Sequence, residues 1–113
     1  MINTVEVAGT LTDDPDCRDL KSGALLVEFT VAVKGVRWDR EAQCDVIESV
    51  FVRVQAWEDV AEVVAPLAKG TVVVVRGQLT QQEVTDSAGR KDRKTRVRAL
   101  VVDVVRTPTG AGY

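Results

Sequence analysis

The sequence predicts an all-β domain: a five-stranded Greek-key barrel with one short α-helix between strands 3 and 4 and long β-hairpin loops. Three observations predict it. Apolar and polar residues alternate with a period of two across residues 2–11, 24–33 and 49–57, as in half-buried strands. One helical stripe occurs, with Val60, Val63, Val64 and Leu67 at i, i+3, i+4 and i+7. Gly9 and Gly77 stand inside strand patterns, where a small barrel bulges or bends. The 113 residues, 45% of them hydrophobic, suffice for one core and are too few for two ordinary domains.

In the first strand, residues 2–11, Val5, Val7, Gly9 and Leu11 alternate with Thr4, Glu6, Ala8 and Thr10. An acidic loop follows, with Asp13, Asp14, Asp16 and Asp19 around the turn signal Asp14-Pro15-Asp16. The second strand, residues 24–33, turns Leu25, Val27, Phe29, Val31 and Val33 to the core. A long polar connection leads to the third strand, residues 49–57, so the two read as an extended hairpin with Trp38 near its tip. Asp59-Val60-Ala61-Glu62 has the form of a capping box opening the helix, Pro66 strains its last turn, and Lys69-Gly70 stops it. The fourth strand occupies residues 71–79. A second projecting hairpin spans 81–94 around Asp86-Ser87-Ala88-Gly89, and the last strand spans about 95–105. Residues 1–106 form the expected domain, and 107–113 a flexible C-terminal remnant. This element order is that of the OB-fold, whose ligands lie on strands two and three between the hairpins.

Composition narrows the function. There is no histidine, so the commonest general base near neutral pH is missing and no metal constellation can be assembled with Cys17 and Cys44. No enzyme and no cofactor are expected. The cysteines leave two states open: separate reduced thiols, or a crosslink within or between subunits. No apolar run approaches a membrane span and no secretion signal opens the chain, which predicts a cytoplasmic protein without membrane partners. Net charge is −2, but residues 90–98 hold six cations against one anion.

The third strand carries the most informative face. Val50, Val52, Val54 and Ala56 fall on one side and read as core. Ser49, Phe51, Arg53, Gln55 and Trp57 fall on the other. Rings and cations spaced along a groove hold single-stranded nucleic acid, because every base has a π-face and every phosphate a charge. Trp38, Phe51 and Trp57 supply rings, Lys34, Arg37, Arg53, Lys69, Arg90, Lys91, Arg93, Lys94 and Arg96 supply charge, and Gln55 offers an amide. Pattern alone leaves a two-layer sandwich open, in which Phe51 and Trp57 fill a second layer. Arg53 between them favours exposure, since arginine is seldom buried unpaired.

Met1-Ile2-Asn3 with Val5, Val7-Ala8-Gly9, Leu11-Thr12, Asp14-Pro15, Ser22-Gly23, Phe29-Thr30-Val31-Ala32-Val33, Val54 to Trp57, Ala61-Glu62, Lys69-Gly70 and Val75-Arg76-Gly77-Gln78-Leu79 follow in order. This succession, over residues 1 to about 105, resembles the bacterial single-stranded DNA-binding proteins. The resemblance implies a homotetramer, a dimer of dimers, that protects single-stranded DNA in replication, recombination and repair and is associated with the nucleoid. It places Trp38, Phe51 and Trp57 on or next to the family's stacking aromatics, and Arg53, Lys69 and Arg93 on basic positions that meet DNA. It also implies that the first strand pairs with its symmetry mate, with Ile2, Thr4, Glu6 and Val52 at or near the subunit interface. Two departures stand out. Val84 occupies a position where the family commonly has another aromatic, and the sequence ends at Tyr113 without the acidic tip that recruits replication and repair enzymes. An OB-fold protein-interaction module of a replication-restart complex is the alternative function.

Overall fold

The computed structural model describes residues 1–108. Its elements are β1 (Val5–Leu11), β2 (Asp16–Asp19), β3 (Leu25–Asp39), β4 (Cys44–Trp57), α1 (Glu58–Val64), β5 (Val72–Thr85) and β6 (Lys91–Arg106). The strands lie in the order β1-β5-β6-β4-β3-β2, and β1 also pairs with β3 through Thr10 opposite Ala32 and Leu11 opposite Val31. That pairing closes five strands into a ring, with β4 and β6 parallel and every other pair antiparallel. The architecture is the OB-fold.

The inward residues of every barrel strand meet in one core. Leu11, Val27, Phe29, Val31, Val54, Ala56, Val73, Val75 and Val97 are buried, and Ala61 and Val64 of α1 close one end of it. Gly77 sits at a β-bulge, where a side-chain carbon would overlap the carbonyl of Arg98. Gly9 is no bulge: its ladder with β5 is unbroken, and a side chain there would strike the Ala32 carbonyl, so the missing Cβ lets β1 approach β3.

Four expectations are corrected. Residues of the acidic loop form β2, which pairs with β3 from Asp16 opposite Glu28 to Asp19 opposite Leu25. The hairpin connections are themselves strands. β3 and β4 stay in register from Leu26 opposite Trp57 to Asp39 opposite Cys44, and β5 and β6 out to Thr85 opposite Lys91. A two-stranded ribbon in water has no core to face, so its residues need not alternate apolar with polar and resemble loop in the sequence. The helix starts at Glu58, with Trp57 as N-cap and no side-chain cap bond, so Asp59 and Glu62 make no capping box. It ends at Val64, which leaves Pro66 outside it, and Val63 of the expected stripe is exposed. Finally, β4 is core on its inner face for only half its length: Val54 and Ala56 are fully buried, Val52 is half-buried, and Val50 is 59% exposed on the ribbon.

Asn3 stays outside β1, where its side-chain amide donates to the Leu79 carbonyl and accepts from the Leu79 N–H, each at 2.9 Å. Ile2 and Thr4 likewise precede the strand and are exposed. Arg106, one residue beyond the expected last strand, ends β6 opposite Val72, and Pro108 of the expected remnant lies against Gly70. The rest of the expected flexible remnant, 109–113, lies outside the described residues.

Candidate nucleic-acid interface

Side chains alternate across a strand, so the unbroken β3–β4 register decides which residues share the outer face. From the barrel to the ribbon tip, β4 contributes Trp57, Gln55, Arg53, Phe51, Ser49, Ile47 and Asp45. Opposite them β3 contributes Leu26, Glu28, Thr30, Ala32, Lys34, Val36 and Trp38. Trp38, Phe51, Trp57, Arg53 and Lys34 therefore lie on one continuous face. Trp57 and Phe51 are six residues apart, about 20 Å at the usual strand rise, and Trp38 stands opposite Asp45, six residues further still. Phe51 is 67% and Trp38 58% exposed, while Trp57 is half-buried where the ladder meets the barrel. No second layer covers Phe51, which excludes the sandwich.

Arg53 is held in place. Its Nη1 donates to Thr30 Oγ1 at 3.2 Å, and its Nη2 lies 3.9 Å from Glu28 Oε2. Glu28 is a buried carboxylate in the middle of the face. Gln55 Nε2 donates to its Oε2 at 3.2 Å, and Arg18 Nη1 lies 3.4 Å from its Oε1. Charge and hydrogen bonds offset the cost of burying it. Gln55 thus has the expected orientation but is itself buried, its amide N–H bound to Glu28, so it supports the face from beneath.

Arg37 belongs to the opposite face of the ribbon. It is odd-numbered among even-numbered partners, and its Nε is ion-paired with Glu48 Oε1. The expectation that it joins the ring-bearing face is not met. On the second ribbon, Lys94 and Arg96 alternate onto one side, and Lys91 and Arg93 onto the other. Lys91 lies 3.4 Å from Glu83 and Lys94 3.1 Å from Asp92, so part of the basic run is neutralised locally. The Lys94 ammonium and the Arg93 backbone N–H hold the Asp92 carboxyl below its ordinary pKa. Arg90 sits in the turn, where its N–H donates to Asp86 Oδ1 at 2.8 Å.

Two grooves adjoin the ladder. One, of about 260 Å³, lies between β4 and β6 and is lined by Phe51, Arg53, Leu79, Thr95, Arg96 and Val97. Arg96 donates from Nη1 to the Thr95 carbonyl at 3.2 Å, while its buried Nε has no hydrogen-bond partner among the described residues. The other, of about 610 Å³, opens where β1 leaves β3 and gathers Lys34, Lys69 and Arg106 beside Thr10, Thr12 and Ala32. Lys69 thus meets the face through Lys34, and its N–H donates to Asp14 Oδ1 at 2.8 Å.

Reading the sequence missed Arg18, Arg98 and Arg106. Arg18 reaches the face through β2, which has no apolar alternation to announce it. Arg98 lies opposite Gln55 in the β4–β6 pairing, and Arg106 was hidden by the glycine- and proline-containing stretch that follows it. Cys17 and Cys44 are free and exposed. Cys17 lies opposite Val27 and Cys44 opposite Asp39, positions about 40 Å apart along β3, so a crosslink within one chain is excluded.

A closed small barrel with rings and cations along one outer ladder defines an OB-fold of the kind that binds nucleic acid. More narrowly, the chain belongs to the single-strand binding protein family, which it matches over residues 2–105. It is 36% identical over 112 residues to the single-stranded DNA-binding protein of Thermus aquaticus, covering 98% of this chain and 41% of that one. With the counterpart from Mycobacterium leprae it shares 38% identity over 90 residues, covering 78% of this chain and 54% of the relative. A crystal structure of a deletion variant of the Thermus aquaticus protein superposes with a TM-score of 0.82 at 25% identity. The match covers 93% of this chain and 51% of that one. The chain spans about half, or less, of the length of these relatives.

Proposed function

We propose that this chain binds single-stranded DNA with little regard to sequence, stacking bases on Trp57, Phe51 and Trp38 and meeting phosphates with Arg53, Lys34, Lys94 and Arg96. The observation that carries this reading is the alternation of ring and cation along the β3–β4 ladder, Trp57, Arg53, Phe51, Lys34, Trp38, on a face with nothing packed over Phe51 or Trp38. Base stacking contributes roughly 1–3 kcal/mol per base, and the cations add a salt-dependent term. Lys69, Arg90, Lys91 and Arg93 extend the positive field to either side. The role is non-enzymatic protection of strands exposed in replication, recombination and repair inside the cell. Family membership supports this, and no described helix is long and apolar enough to cross a membrane.

The assembly is a homotetramer in this reading. From Val5 to Gly9, β1 pairs with β5 on one side and meets β3 only from Thr10 onward, so its other edge is open to a second copy. Exposed Ile2 and Thr4 would border that contact, with Val52 nearby, while Glu6 already pairs with Arg76.

Titration with oligo-dT tests the function, because both tryptophans lie on the proposed face and report occupancy by quenching. Quenching at low salt, weakened by added salt and stronger than with duplex, is expected. No quenching, or equal preference for duplex, would refute the proposal. Light scattering tests the tetramer.

A further inference from the structure

The ladder contains one pair that the ring-and-cation reading leaves unused. Val36 and Ile47 stand directly opposite each other on the β3–β4 ribbon, 72% and 74% exposed. Among the described residues no other large apolar side chain beyond Met1 and Ile2 is so exposed. They share a face with Phe51, roughly 13 Å away along β4, and with Trp38, the next residue outward on that side of β3. Lone exposed apolar side chains are ordinary, but a contiguous Val36–Ile47–Trp38 surface on a ribbon with no layer against it is not.

Resting on the function proposed above, we infer that Val36 and Ile47 form a further base platform between the Phe51 and Trp38 rings, taking an unpaired nucleobase of the bound strand. The order of chemistry along the ladder argues for this occupant. Arg53 separates the Trp57 and Phe51 platforms, and Lys34 separates Phe51 from the Val36–Ile47 pair in the same way. A strand that alternates base and phosphate meets an alternating apolar and cationic track. Asp45 faces Trp38 at the outer end, so a phosphate is disfavoured there and the flat face of a base is not. The back of the same ribbon is different: Arg37 is neutralised by Glu48, and Val50 is the exposed apolar residue.

The test compares V36T/I47T with V50T, since threonine keeps the β-branched shape that favours the ribbon. Affinity is measured for a long oligo-dT that spans barrel and ribbon, and for a short one that fills only the Trp57–Phe51 stretch. The double variant should bind the long strand about tenfold more weakly, from the apolar area lost at two contacts, and the short strand as wild type does. V50T should leave both unchanged. Unchanged affinity of the double variant for the long strand would overturn the inference. So would equal weakening for both lengths, which marks a general disturbance, or a fall in oligomeric mass, which marks the pair as a protein interface. If wild-type protein binds neither strand, the proposed function fails and takes this inference with it; if wild type binds and only the double variant is indifferent, this inference alone fails.

Discussion

Replacing Phe51 by alanine separates binding from folding more cleanly than any other change on the ladder. The ring is 67% exposed, so about a third of it is covered, chiefly along the outer face beside Arg53 and Arg96. Full burial of a phenylalanine is worth about 1.5–3 kcal/mol, so the folded state should lose only about 0.5–1 kcal/mol. A base stacked on the ring contributes roughly 1–3 kcal/mol, so Kd for oligo-dT should rise about five- to 150-fold. Tryptophan fluorescence can follow the titration, because Trp38 and Trp57 are both retained, and urea unfolding of the same samples gives the stability term. The dependence on salt adds a second check. Phe51 carries no charge, so the slope of log K against log salt should match that of wild type while the whole line drops. Unchanged affinity would refute the stacking role. A shallower slope, or a stability loss large enough to account for the weaker binding, would refute the division of labour between ring and cation.

Trp57→Ala should weaken binding well beyond Lys91→Ala, because Lys91 faces away from Lys94 and Arg96 and is paired with Glu83; comparable losses in parallel titrations would contradict the placement. Asp92 should titrate below the ordinary aspartate value of 3.8. Because its pKa is depressed in the folded state, its contribution to stability is present above that ordinary value and is lost as pH falls through the lowered one. A carboxyl NMR titration with a midpoint at or above 3.8 would show that Lys94 does not hold it. Both Cys17 and Cys44 should react with a maleimide in the native protein, giving two labels by mass, and a reducible dimer on a non-reducing gel would instead mark a bridge between copies.

The barrel was legible because burial on one side of a strand forces alternation. Val27, Phe29, Val31 and Val54 announce their faces by position alone, whereas in the unbroken run Val72 to Val75 only the structure shows that Val73 and Val75 are the buried ones. Where a strand has no buried side, that signal vanishes, which is why β2 and the outer halves of β3 to β6 read as loop. The candidate site divides in the same way. Parity along β4 correctly grouped Phe51, Arg53, Gln55 and Trp57, but it does not show that Gln55 is covered by its bond to Glu28, a partner 27 residues away. Arg37 and Trp38 are neighbours in sequence and on opposite faces in space. Only the register across the turn, with Arg37 opposite Val46 and Trp38 opposite Asp45, tells which of them joins Phe51.

The ring of strands is closed unevenly. Ladders run the length of the β3–β4 and β5–β6 ribbons, yet β4 meets β6 only through Val54 opposite Val97 and Gln55 opposite Arg98, and β1 meets β3 only through Thr10 and Leu11. The barrel is therefore two leaves joined at two short seams, with α1 packed against strands of both as a buckle. One wing grows from each leaf. A polymer lying across Phe51 on one leaf and Arg96 on the other bridges the seam between them, so whatever occupies that surface also resists the parting of the barrel. Exchange of the amides at Val54 and Val97 then becomes a gauge of occupancy.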